Sequence, residues 1–177
     1  MTCNDFVCYD PPKNGGCDFE SYTSGCIKYV VKPPWNIQQG PTPSEGTGPS
    51  TDHTKVFDPR LGAQGRYAYF EADGAGKGLK CMRTPLFQKE RCMTFWYHMW
   101  GSSKMLLGIR TLNVVGERKP LFSARGSKGN RWIKKSLTVY EEGNDEKYVV
   151  QFCAKKAGHK SDIAIDDISF TDGPCAG

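Results

Sequence analysis

The sequence predicts an all-β, disulfide-stabilised sandwich, and three observations carry that expectation. From Gly65 onward, short runs rich in β-branched and aromatic residues are separated by glycine clusters, at the intervals of antiparallel strands joined by turns. No stretch repeats its apolar residues at helical spacing. An even set of eight cysteines, Cys3, Cys8, Cys17, Cys26, Cys81, Cys92, Cys153 and Cys175, in a chain of 177 residues points to disulfides and an oxidising compartment. Zinc ranks below disulfides, since no Cys-x-x-Cys pair occurs and structural zinc sites favour paired short spacings.

Composition narrows the class further. Hydrophobic residues at 38% suffice for a core and exclude a wholly disordered chain, yet no apolar run is long enough for direct membrane insertion. Lys and Arg total 24 against 19 Asp and Glu, a mixed surface without the concentrated basic footprint of a nucleic-acid binder. The opening Met1-Thr2-Cys3-Asn4-Asp5 lacks the apolar run of a secretory leader and reads as a mature fragment with a start methionine.

Residues 1–16 carry Cys3 and Cys8 and then Pro11, Pro12, Gly15 and Gly16, which suits a small cysteine-closed lead-in and linker. Four residues separate Cys3 from Cys8, so a local bridge between them is feasible. A first strand is expected near 18–22. Residues 33–65 hold most of the prolines together with many Gly, Ser and Thr, a mixture that continues neither a helix nor a central strand. A loop of that length inside a compact domain is usually functional or pinned, and Trp35 and Phe57 offer apolar anchors. Strands are then expected at 67–71, 79–87, 92–100, 106–115, 121–124, 132–140, 148–154 and 163–170. Within 92–100, Met93, Phe95, Tyr97 and Met99 share one face and Thr94, Trp96, His98 and Trp100 the other, and the first face is the core candidate.

A series of stretches follows in order along the chain: Cys17-Asp18-Phe19-Glu20, Cys26, Gly48-Pro49-Ser50-Thr51-Asp52-His53-Thr54, Gly65-Arg66-Tyr67, Thr84-Pro85, Cys92 through Gly101, Leu121-Phe122, Gly126, Trp132, Asp162 through Ile168, and Cys175. Taken together in this order, they resemble the MAM domain, an extracellular module. The similar region covers about residues 17–175. The resemblance implies a jelly-roll sandwich in an extracellular protein, secreted or the ectodomain of a membrane-anchored one. It implies adhesion, receptor assembly or oligomerisation and no catalysis. It also implies the pairings Cys17 with Cys26 and Cys92 with Cys175. Cys81 and Cys153 are extra within the pattern, at positions where the family commonly has an outward strand residue. A cross-strand bridge between them is expected, with free thiols or an intermolecular bridge as the alternative.

The chemically suggestive carboxylates are Asp18, Glu20, Asp52, Asp162, Asp166 and Asp167. Strict alternation puts Asp167 on the face of Ile163 and Ile165, where it would need hydrogen bonds, neutralisation or a cation. Carboxylates converging from the first strand, the long loop and the last strand would offer the oxygen ligands that calcium prefers. The resemblance implies a structural calcium site formed by Glu20, Asp52 and one or both of Asp162 and Asp167. The alternative is that the same groups accept backbone N–H donors and pin the loop without metal.

Catalysis has little to stand on. The only histidines are His53, His98 and His159, and no nucleophile-elbow, zincin or phosphate-loop motif occurs. His53 is expected to order the loop by a hydrogen bond. His98 reads either as part of a ligand platform with Trp96 and Trp100 or, preferably, as packing beneath a neighbouring loop. Basic residues gather at 125–131, including Lys128 and Arg131, and at 155–160, including Lys155, Lys156 and Lys160. They suit either a sulfated glycosaminoglycan or acidic protein partner, or a merely solvated surface. The leading expectation is a non-enzymatic extracellular module that contacts a protein partner, a second copy included. The runner-up is a glycan-binding jelly roll.

Overall fold

The computed structural model describes residues 14–20, 26–54, 57–58, 63–141 and 146–177; the expected Cys3–Cys8 bridge lies outside the described residues. The strands are β1 (Trp35–Gln39), β2 (Phe57–Asp58), β3 (Ala63–Gln64), β4 (Arg66–Phe70), β5 (Lys80–Arg83), β6 (Arg91–Met99), β7 (Met105–Asn113), β8 (Arg118–Arg125), β9 (Trp132–Val139), β10 (Tyr148–Lys156) and β11 (Ile163–Asp172). They form a five-stranded sheet in the order β1-β4-β11-β6-β9, a four-stranded sheet β5-β10-β7-β8, and the small β2-β3 ladder. All pairings are antiparallel. The two large sheets stack as a sandwich of jelly-roll type. The eight strands expected after Gly65 correspond to β4 through β11.

The core lies between the sheets and follows period-two patterning. Met93, Phe95, Tyr97 and Met99 of β6 all point inward, as expected, and meet Leu107 and Ile109 of β7 and Val150 and Phe152 of β10 in one buried cluster. Phe95 and Phe152 pack edge to face across the sheets, with centroids 5.3 Å apart at 87°. Fully burying each such side chain is worth about 1.5–3 kcal/mol, so the inner faces supply the main driving force.

Three local features depart from the pattern. First, residues 33–65 are not wholly loop, because Trp35–Gln39 form an edge strand in register with β4, Trp35 opposite Phe70. The flanking prolines Pro33, Pro34 and Pro41 obscure it, yet an edge strand tolerates them because only one side must be paired. Second, 18–22 does not begin as a strand. Cys17 makes only an isolated bridge to Ile168, and Phe19 adopts φ 61°, which extended structure forbids. Third, the strand expected at 79–87 ends at Arg83, although Phe87 still bridges Tyr148.

Residues 40–54 run across the outer face of the five-stranded sheet and turn it into a second interior. Tyr67, Tyr69 and Ala164 are buried there with Trp132 packed against them. The loop is held by Tyr67 Oη donating to Gly40 O at 2.6 Å, Gly48 N to Trp100 O at 3.1 Å and Trp132 Nε1 to Thr51 O at 3.1 Å. Trp35, at 1% exposure, anchors its N-terminal approach; the side chain of Phe57 lies outside the described residues.

Disulfides join Cys17 to Cys26, Cys81 to Cys153 and Cys92 to Cys175. Cys81 and Cys153 stand directly opposite each other on β5 and β10. The long bridge, between residues 83 apart, ties the start of β6 to the C-terminal segment.

Candidate functional site

The site grows out of a break in β11. Its side chains alternate through Ile163 and Ile165, but the register with β6 shifts between Asp166 and Ser169 and Asp167 takes φ 47°. This bulge inserts an unpaired residue and resets the alternation, so that Ile168 and Phe170 return to the core. Asp167 is therefore not carried inward with Ile163 and Ile165, as strict alternation implied. It sits on the opposite, loop-covered side beside Asp166, within reach of His53. The three-residue gap from Ile165 to Ile168 was the visible sign of the bulge.

His53, at the end of the 40–54 loop, closes over both carboxylates. Its backbone N–H donates to Asp166 Oδ2 at 2.8 Å, and its Nδ1 lies 2.6 Å from Asp167 Oδ2. The ring stacks on Trp96 with centroids 3.7 Å apart, and Trp96 is the β6 residue paired with Asp166. Asp167 N donates to Asp166 Oδ1 at 2.8 Å. Burial pushes the Asp166 carboxyl well up, and the charge of Asp167 adds to the shift. Asp167 is also raised by burial, against the pull of His53.

Glu20 and Asp52 complete the cluster. Glu20 Oε1 accepts Arg66 N–H at 2.7 Å and Asp52 Oδ2 accepts the Thr54 hydroxyl at 2.8 Å. Both carboxylates crowd Gly65, where a Cβ would fall on Asp52 and within 2.6 Å of Glu20 Oε1. Burial raises Glu20 to about 7, with the charges of Asp52, Asp18 and Asp167 adding and the Arg66 N–H opposing. The arrangement gathers Glu20, Asp52, Asp166 and Asp167 at one end of the loop, with the His53 imidazole in contact with Asp167.

Asp162 does not join this group. Four residues of strand at about 3.3 Å each put it roughly 13 Å from Asp166, and it works at the other end of the loop. Its Oδ1 accepts Ala72 N–H at 2.9 Å, and its own N–H donates to Thr47 Oγ1 at 2.9 Å. Thr47 in turn donates to Trp100 O at 2.8 Å. Burial raises this carboxyl to about 7, with Glu71 and Asp73 adding and the Ala72 N–H and the Thr42 hydroxyl opposing. The last-strand carboxylates beside Glu20 and Asp52 are thus Asp166 and Asp167, and Asp166 is the one the expected ligand set lacked.

His98 is buried beneath Trp132 and its Nε2–H donates to Asn130 Oδ1 at 2.9 Å; burial lowers its pKa. It packs under the β8–β9 connection rather than lining an open platform. Of the basic residues, Lys156 turns inward and its ammonium donates to Ala72 O at 2.7 Å. Arg131, Lys155 and Lys160 are exposed and Lys128 is half-buried.

Polar groups spent on clamping a loop over a cross-linked jelly roll define a disulfide-stapled β-sandwich module, suited to an oxidising, extracellular setting. The chain belongs to the MAM family: the model described as MAM domain, meprin/A5/mu matches residues 17–176. It is 33% identical over 172 residues to thyroid hormone-induced protein B of Xenopus laevis and 31% identical over 174 residues to MAM domain-containing protein 2 of Homo sapiens. Each match covers 93% of this chain and 24% of the relative, so the chain spans about a quarter of the length of either. The solved structure of an exo-β-agarase superimposes with a TM-score of 0.55 at 9% identity, over 89% of this chain and 25% of that one, a likeness of fold alone.

Proposed function

We propose that the chain is a non-enzymatic extracellular interaction module that associates with a second copy of itself, whether in a secreted or a membrane-anchored parent. The observation that carries this is the β7–β8 hairpin tip. Val114 and Val115 are 64% and 73% exposed, yet the turn beneath them is rigid: Asn113 Oδ1 accepts the N–H groups of Val115 and Glu117 at 3.2 and 2.9 Å, and Asn113 Nδ2 donates to Glu117 Oε2. Solvent-facing valines on a preorganised turn cost little entropy on docking. Around the tip a concave surface carries Glu117, Arg118, Lys119 and Glu146. Both signs of charge in one patch suit a two-fold contact, in which each sign meets the other. Sedimentation across a concentration range tests this. The expectation is a dimer that persists in high salt and dissociates at least about tenfold more readily in a Val114→Asp/Val115→Asp variant, roughly 1.4 kcal/mol or more; a chain monomeric throughout would refute it.

The carboxylate cluster supports a second proposal, that it takes up calcium. The donor chemistry fits, because Glu20, Asp52, Asp166 and Asp167 present hard oxygens gathered at one end of the loop, where Glu20 and Asp52 crowd Gly65 and His53 touches Asp166 and Asp167. No three acidic or imidazole groups among the described residues already stand as a coordination sphere, and many of the oxygens accept N–H donors. Calcium titration calorimetry decides between cation and clamp. Uptake that disappears in Asp167→Asn supports the site, and no heat with the unmodified chain sinks it.

A further inference from the structure

We infer that the end of the sandwich formed by the β6–β7, β8–β9 and β10–β11 connections is a binding surface for a sulfated glycosaminoglycan, distinct from the hairpin tip at the opposite end. Strand register places these connections together. Ile163 pairs with Met99, Trp132 with His98, Arg125 with Leu106, and Lys156 with Met105. Sequence-distant cations therefore share one end: Lys104, Arg125, Lys128, Arg131, Lys155 and Lys160.

The surface is built rather than incidental. Backbone hydrogen bonds fasten the connections to one another: Lys128 N to Met99 O at 2.6 Å, Gly126 N to Met105 O at 2.9 Å, Ser103 N to Lys160 O at 3.0 Å and Ala157 N to Lys104 O at 2.9 Å. The cations thus ride on a preorganised frame. None of the six is paired with a carboxylate in the described structure, whose ion pairs involve His53, Arg91 and His159. The acids at this end are largely engaged: Asp73 by His159 at 2.8 Å, Glu71 by Tyr69 Oη and Asp73 N, and Asp162 by burial. Exposed Glu45 is the exception.

The partner's chemistry follows from what the surface offers. Among the described residues, the exposed large hydrophobics are Ile37, Leu79, Leu86, Val114 and Val115, none within these three connections. A protein partner needs a desolvated apolar or aromatic centre; a sulfated sugar chain needs only dispersed cations and hydrogen-bond donors. The sheets lie about 10 Å apart, so the cations are spread over a face that a flexible chain of several sugars can follow. Lys156 is excluded, because its ammonium is committed to Ala72 O.

The test is calorimetry with size-fractionated heparin oligosaccharide, on the unmodified chain and two variants of equal net charge. Lys104→Glu/Lys155→Glu/Lys160→Glu removes half the surface; Lys28→Glu/Lys32→Glu/Lys147→Glu alters exposed lysines elsewhere. The expectation is a salt-dependent affinity, weakened at least about tenfold in the first variant with a flatter salt dependence, and changed far less in the second. Amide shifts of the unmodified chain on titration should concentrate in 100–104, 125–131 and 155–160, a readout that survives misfolding of either variant. Equal weakening in both variants, dispersed shifts, or no binding would overturn the inference. So would equal affinity for desulfated oligosaccharide, for DNA, or for phosphatidylserine vesicles. A monomeric chain that still binds heparin would refute the dimer alone.

Discussion

At the scale of single residues, the carboxyl groups show how one side chain serves structure in a way pH can report. Asp162 is fully buried and its carboxyl is raised to about 7, above an unfolded value near 3.9. Between these values the folded chain binds more protons than the unfolded one, so this group's contribution to stability is full below about pH 4 and lost as pH rises through about 7. Asp162→Asn keeps an acceptor for Ala72 N–H and removes the titration. Urea melts at several pH values should therefore show a shallower decline of stability from acid to neutral pH in the variant. An unchanged slope would mean that Asp162 ionises normally. The sequence marked Asp162 and Asp167 as suggestive acids, and strand length alone separates them; the face that Asp167 takes was not legible, because the bulge at Asp166 and Asp167 resets the alternation. Only the Ile165–Ile168 spacing hinted at it.

At the scale of elements, the 40–54 loop is an integral wall of the molecule. Its proline and glycine content marked it as non-helical and its length as pinned, yet the pins are a histidine stacked on Trp96 and carboxylates from the last strand, more than a hundred residues away. His53→Ala removes the imidazole contact to Asp167 and the stack on Trp96 while keeping the backbone bond to Asp166. A loss of about 1–3 kcal/mol is expected, with hydrogen exchange accelerated first at Gly48 and His53 and at the Trp132 indole N–H, and little change in β6 and β10. Uniform acceleration across the sandwich would show that the loop does not open separately. β1 escaped the sequence reading for a related reason: its five residues become a strand by pairing with β4, and local propensity between prolines carries little trace of a partner.

At the scale of the whole molecule, the described residues are held together by three disulfides and two apolar layers. The Cys92–Cys175 bridge spans 83 positions and the Cys17–Cys26 bridge spans 9. On the loop-entropy account, losing the first costs about 4.5 kcal/mol and losing the second about 2–3 kcal/mol. Chemical denaturation of Cys92→Ala/Cys175→Ala and Cys17→Ala/Cys26→Ala chains should preserve that order; a reversed order would place the weight on local packing around Phe19 and Tyr29 instead. The sequence by itself determined the all-β class, the inward face of β6, eight of the strands and the family, because these depend on period-two patterning, turn residues and motifs close together along the chain. The tertiary structure alone decided that Asp166 stands with Asp167 and Glu20, that 40–54 roofs the outer sheet, and that cations from three connections share one end. Each of those is set by register and by a single inserted residue, and a one-residue change of register moves a side chain to the other face without altering the composition that a sequence displays.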